Sequence, residues 1–212
     1  MDTGKLGVWY FFDGMSSADA AAAAKRIEAM GYGTLWIPET VGKNPTVLAS
    51  WLLANTETLN LATGIINIYH REPGVTMSAQ KSLAEQSGGR FLLGMGVSHK
   101  PLVEGVRGLE YGPPVKTMRA YLEAMKAAPY NGFPPADEPP TVIAALGPKM
   151  LELAAQACQG AHPYFSSPDH TRMARDIMGP DAMLCVEQKV ILESDADKAL
   201  SLIHISEPTR LC

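Results

Sequence analysis

Short apolar runs alternate along the chain with longer stretches whose apolar positions recur every three or four residues, the pattern of strands followed by helices. The strand-like runs fall at residues 6–12, 34–37, 61–68, 91–95, 141–145, 161–165 and 184–192. The helical patterns fall between them, at 17–30, 45–54, 76–86, 115–127, 150–157 and 169–178. In 115–127, Val115, Met118, Leu122 and Met125 share one face, and Lys116, Arg119, Glu123 and Lys126 occupy the other, so one side packs on a sheet and the other meets water. Ser17 or Asp19 is placed to cap the first helix, and Gly31 to end it. The proline-rich stretch 131–140 reads as an exposed connector. Strand–helix alternation sustained in this way predicts an α/β fold with a parallel sheet.

The chain has 212 residues, 46% of them hydrophobic and 19% charged, enough to bury one sizeable core. Its net charge is -4 with the 18 basic residues scattered, which gives no footprint for duplex nucleic acid or an anionic membrane. Small-molecule partners are expected instead. The early apolar run at 6–12 is too short to span a bilayer and has no cleavage pattern after it, so a cytoplasmic protein is expected. Cys158, Cys185 and Cys212 lack metal-ligand spacing.

Candidate chemistry gathers at strand ends. Gly88 and Gly89 end a helix, residues 91–93 read as a strand buried on both faces, and Gly94 and Gly96 leave bare backbone at its carboxyl end, where parallel α/β proteins place ligands. A tight turn without a ligand explains these glycines equally well. In Ala144-Ala145-Leu146-Gly147-Pro148-Lys149-Met150 a strand end meets a helix start, and helix amides there attract phosphate; a plain change of direction is the alternative. Titratable groups at strand ends are Glu39, His70, Glu72, His99 and His162. The chain holds no Gly-x-Ser-x-Gly elbow, Walker loop or His-Glu-x-x-His pair, and only two glycines of a dinucleotide fingerprint.

Ser87-Gly88-Gly89-Arg90-Phe91 with Leu93-Gly94-Met95-Gly96 resembles the luciferase-like flavin-dependent oxidoreductases, as do Leu6-Gly7-Val8-Trp9, Leu35-Trp36-Ile37-Pro38-Glu39, Leu61-Ala62-Thr63-Gly64-Ile65, the 144–150 turn and Gly160-Ala161-His162-Pro163-Tyr164. Within that family the chain is most similar to the branch using the deazaflavin coenzyme F-420. The resemblance implies a TIM (β/α)8 barrel, here with about seven strands and truncated at its C-terminus. It implies a cofactor phosphate near Ala145, Leu146, Gly147 and Pro148, and further cofactor contacts at Gly96 and Ser98. Support for the ring, sometimes a cis non-proline peptide, is implied near Asn67 and Ile68. Glu39 stands where several deazaflavin enzymes carry histidine; Glu39 or His99 is the expected proton donor or acceptor, and His162 a packing, substrate-contact or catalytic residue. The implied activity is hydride transfer between coenzyme F-420 and a small organic substrate. Two alternatives stay open, an FMN-dependent monooxygenase and a non-catalytic fragment; a homo-oligomer is compatible with each.

From Leu200 to Arg210 the sequence resembles a translated sequencing-library adaptor, which divides the chain into an incomplete barrel domain at 1–199 and a non-native tail at 200–212. The other reading makes 202–205 a genuine short strand. A barrel one strand short exposes the edges of its first and last strands, so poor solubility is expected.

Overall fold

The structure is a computed structural model that describes residues 1–206, with side chains described through residue 201. Eight short strands form one all-parallel sheet: β1 (Gly7–Trp9), β2 (Thr34–Ile37), β3 (Asn60–Thr63), β4 (Ile66–Asn67), β5 (Phe91–Gly96), β6 (Thr141–Ile143), β7 (Gly160–Ala161) and β8 (Met183–Leu184). Their order is β1-β2-β3-β5-β6-β7-β8, and β4 pairs with β5. β3 and β4 are thus two halves of one strand position, giving seven positions. Helices α1 (Ser17–Ala29), α2 (Pro45–Ala54), α3 (Pro73–Gln86), α4 (Pro114–Ala127), α5 (Pro148–Ala157), α6 (Pro168–Met178) and α7 (Ala196–Ser206) fill the crossovers and the end of the described chain.

The sheet is curled rather than flat. β2 and β7 stand four ladder steps apart, which is about 19 Å in a flat sheet, yet the rings of Trp36 and His162 from these two positions stack with centroids 4.5 Å apart. Side-chain alternation separates two cores. Leu35, Ile37, Leu61, Phe91, Leu93, Met95 and Ile143 point outward and pack on helix residues such as Ala24, Leu52, Leu83, Met118 and Leu151. Trp36, Ala62, Leu92 and Val142 point inward, joined by Trp9, Met183 and Cys185. Among the described residues no ladder joins β8 to β1.

Several boundaries differ from those expected. Ser16, not Ser17 or Asp19, caps α1, its hydroxyl accepting the Asp19 N–H at 3.1 Å. β1 stops at Trp9, and Phe12 turns into the outer core. The third strand is interrupted by a cis peptide at Gly64–Ile65; Ile68 begins a 3-10 turn (Ile68–His70) beyond it. β7 ends at Ala161: Pro163 has no N–H to offer the ladder, although its carbonyl still accepts the Glu187 N–H at 2.9 Å. The expected strand at 184–192 therefore shrinks to Met183–Leu184. A π-helical turn at Pro101–Val106 had no counterpart in the sequence pattern. The alternative strand at 202–205 is helical, within α7, and residues 207–212 of the adaptor-like tail lie outside the described residues.

Candidate active site

The carboxyl ends of the strands form a mouth whose wall is unusually bare on β5. Phe91, Leu93 and Met95 face the helices, so Leu92, Gly94 and Gly96 face inward. That bareness is consumed by neighbouring chain. A Cβ on Gly94 would lie 1.9 Å from the Thr63 carbonyl oxygen, and one on Gly96 would lie 2.6 Å from Ile65 Cδ1 and 3.2 Å from Ala144 Cβ. The expectation of open backbone at Gly96 is corrected accordingly: Ile65 and Ala144 cover it, and their half-buried side chains make the surface there.

The segment following the cis peptide is held at each step. Trp9 Nε1 donates to the Gly64 carbonyl at 2.8 Å, and the Glu39 N–H donates to the Ile65 carbonyl at 3.2 Å. Glu39 also takes the Asn67 N–H on Oε2 at 2.7 Å. Its carboxylate receives both arms of Arg71, Nη1 to Oε2 at 2.7 Å and Nη2 to Oε1 at 2.6 Å. The two side chains are 8% and 10% exposed. Burial pushes the Glu39 carboxyl up, but Arg71, the Asn67 N–H and His70 outweigh it and the net shift is downward. An ionised carboxylate so filled with donors has no proton to give, so Glu39 is an anchor rather than the expected acid. Arg71, whose backbone carbonyl accepts from Tyr121 Oη at 3.1 Å, had no signal in the sequence; a pair 32 residues apart in sequence leaves no periodic mark.

Asn67 and Ile68 are buried. The Asn67 carboxamide accepts the Tyr69 N–H at 3.0 Å and meets His70 Nε2 at 3.1 Å. The cis bond lies three residues before the Asn67–Ile68 pair named from the resemblance, a second correction. Glu72 is the N-cap of α3, taking the Val75 N–H at 2.9 Å.

His162 lies one layer below the mouth, 4% exposed. It stacks on Trp36 and contacts the Cys185 carbonyl through Nδ1 at 2.7 Å. Since a carbonyl only accepts, Nδ1 carries the proton and Nε2 the lone pair. Among the described residues Nε2 has no hydrogen-bond partner, and it lies 3.1 Å from where a Gly64 Cβ would stand. Burial lowers the imidazole's pKa, and the Cys185 carbonyl offsets only part of that.

On the far side, Gly147 is the N-cap of α5; among the described residues it has no side-chain cap, and a Cβ there would meet nothing within 4 Å. Ala145 is buried; Leu146, Gly147, Pro148 and Lys149 are exposed. His170 Nε2 donates to the Leu146 carbonyl at 2.8 Å. Ser98 sits at φ 56°, and its carbonyl accepts from Tyr111 Oη at 3.2 Å. His99 is exposed, with its carbonyl bound by Leu102 and Val103 N–H. The 97–113 segment is further tied by Arg107 to the Thr40 carbonyl at 3.1 Å and by the Gly112 N–H to Tyr69 Oη at 2.9 Å. Glu187, missed in the sequence, takes the Phe165 N–H at 2.8 Å and is 8% exposed; burial raises its pKa against that bond and Lys189. Among the described residues no three His, Cys, Asp or Glu side chains are grouped to hold a metal, and no helix is long and apolar enough to cross a membrane.

Known proteins resemble this chain in sequence and in fold. A protein of Mycobacterium tuberculosis named for coenzyme F-420-dependent oxidoreductase activity is 29% identical over 194 residues, covering 77% of this chain and 55% of that one. A 5,10-methylenetetrahydromethanopterin reductase of Archaeoglobus fulgidus is 32% identical over 190 residues, covering 81% and 56%. The chain thus spans a little over half the length of these relatives. The solved coenzyme F-420-dependent tetrahydromethanopterin reductase of Methanopyrus kandleri superposes with a TM-score of 0.68 at 22% identity, over 81% of this chain and 59% of that one. The family model described as luciferase-like monooxygenase matches residues 4–202, and with its parallel strands curled around an inner core the chain belongs to that family.

Proposed function

We propose that the mouth binds a deazaflavin of the coenzyme F-420 class and that the protein moves a hydride between this cofactor and a small organic substrate. One observation carries the reading. α5 opens toward the mouth with an uncapped first turn and clear space over Gly147, which suits an anionic tail approaching backbone amides. The surface made by Ile65 and Ala144 is the seat for the ring, and Lys149 stands at the phosphate end. The name of the M. tuberculosis relative supports deazaflavin over FMN. When bound, the cofactor supplies hydride chemistry that no side chain can. The chain's residues hold its ring, fix its tail and handle the accompanying proton, and His162 with Trp36 forms a dry floor beneath.

The test is a side-by-side titration of the chain with coenzyme F-420 and FMN, read by quenching of tryptophan fluorescence. Tighter binding of the deazaflavin is expected. Tighter binding of FMN replaces the cofactor, and binding of neither removes the reading.

A further inference from the structure

A hydride transfer to or from an alcohol or amine needs a partner for one proton that is both oriented and able to exchange. Glu39 is filled by Arg71 and Asn67, and His99 is exposed on the 97–113 segment. His70 is different: it lies 12% exposed at the end of the third strand position, with Nδ1 3.4 Å from Glu39 Oε1.

The hydrogen-bond network fixes which nitrogen carries its proton. Asn67 uses its side-chain oxygen to accept the Tyr69 N–H, so the group facing His70 Nε2 at 3.1 Å is the amide nitrogen. An amide nitrogen only donates, so Nε2 holds the lone pair and Nδ1 carries the hydrogen, directed at Glu39. The side on which that lone pair lies follows from the ladder. Ile66 pairs with Met95, and both pack in the outer core. The next pair, Asn67 with Gly96, therefore faces inward, and Nε2 lies beside the Asn67 amide there.

We propose that His70 is the proton-transfer residue of the mouth, oriented by Glu39 and Asn67; this rests on the deazaflavin reading above. When a substrate is oxidised, its O–H or N–H proton moves to His70 Nε2, displacing the Asn67 amide from that lone pair. The hydride leaves the adjacent carbon with its electron pair for the oxidised deazaflavin. The electrons of the broken O–H or N–H bond become the second bond to carbon. The imidazolium so formed faces the Glu39 carboxylate, whose charge is shared with Arg71, and passes its proton to solvent. Reduction runs the same path backwards, with the imidazolium as donor. The substrate class is accordingly a molecule with a hydrogen-bearing carbon next to O–H or N–H, or its carbonyl or imine counterpart.

Three measurements on the 212-residue chain test this. Nitrogen-15 spectra of the His70 ring are expected to show a protonated Nδ1 and a bare Nε2, and Glu39→Gln to erode that preference; a protonated Nε2 overturns the assignment. Diethyl pyrocarbonate, mapped by peptide mass, is expected to acylate His70, and coenzyme F-420 to protect it. A His70 that stays unmodified, or reacts equally with cofactor bound, is not at the site. Finally, His70→Gln is expected to keep cofactor affinity within about twofold while slowing reduction of the bound cofactor by 2-propanol about 100-fold. Equal rates overturn the proposal. Failure of the chain to bind coenzyme F-420 in the direct titration removes the cofactor reading and this role with it. That outcome is distinct from normal binding with an indifferent His70.

Discussion

Replacing Arg71 with methionine keeps most of the side chain's bulk and removes only the fork that satisfies Glu39. The two side chains are 8% and 10% exposed and joined by contacts of 2.6 and 2.7 Å. Breaking such a pair while its partner stays buried costs about 3–5 kcal/mol. Glu39 keeps the Asn67 N–H at 2.7 Å and His70 at 3.4 Å, so the loss belongs at the lower end, about 3 kcal/mol at neutral pH. Removing both charges in Glu39→Gln/Arg71→Met leaves no orphan charge and is expected to recover about half of that loss. The pH dependence gives a second signature. In the parent, the Glu39 carboxyl titrates below its ordinary value, so its stabilisation is complete above that value and is lost as pH falls through the lowered one. In Arg71→Met burial prevails and the carboxyl titrates higher, so the penalty grows as pH rises through the raised value and fades in acid. Urea unfolding followed by tryptophan fluorescence, at neutral and mildly acidic pH, measures both effects. A loss under about 1 kcal/mol that does not change with pH would show a solvated pair of surface strength and refute the anchor.

Gly147→Val is expected to cost about 1 kcal/mol of stability or less, because its Cβ enters open space, while weakening coenzyme F-420 binding by about tenfold or more; unchanged affinity in calorimetric titration would move the phosphate seat. Gly94→Ala places a Cβ 1.9 Å from the Thr63 carbonyl oxygen and is expected to cost about 3 kcal/mol, seen as a lower melting temperature; a neutral result would contradict the packing of β3 on β5. Burial pushes the Cys158 and Cys185 thiols up to about 12 and about 11, so both are expected to resist iodoacetamide at pH 8 in the folded chain and react once it is unfolded in urea, as peptide mapping will show. Rapid labelling of either in the folded chain would count against the inner and outer cores as drawn.

The parallel α/β alternation was legible because each element carries its own signal: a 3.6-residue stripe in α4, a two-sided apolar run in β5, prolines and glycines between. What proved illegible depends on which chain segments meet. Gly94 and Gly96 read as a ligand lip, and only the approach of Thr63 and Ile65 shows that neighbouring backbone and side chains need that room. Glu39 read as an acid because its exposure and its partner Arg71 are tertiary facts. The strands at the chain's far end were overestimated for a local reason: residues 184–192 are apolar enough for a strand, but Pro163 leaves their neighbour without a donor. His70 was visible as a strand-end histidine, yet its tautomer is set by Asn67 and Glu39 together, from two strand positions.

The inner wall is built with bulk on one side and absence on the other. Trp9, Trp36 and His162 project into space that Gly64 and its neighbours vacate; a Cβ on Gly64 would stand 2.8 Å from Trp9 Nε1 and 3.1 Å from His162 Nε2. Volume in the lumen is therefore a shared quantity, not a property of any single position. Drift at these sites has to proceed by reciprocal exchange, a larger residue at 64 tolerated only with a smaller one at 9 or 162. A lineage that makes the swap would move the floor of the mouth, and with it the depth of the lumen, while keeping the outer core and its helices unchanged.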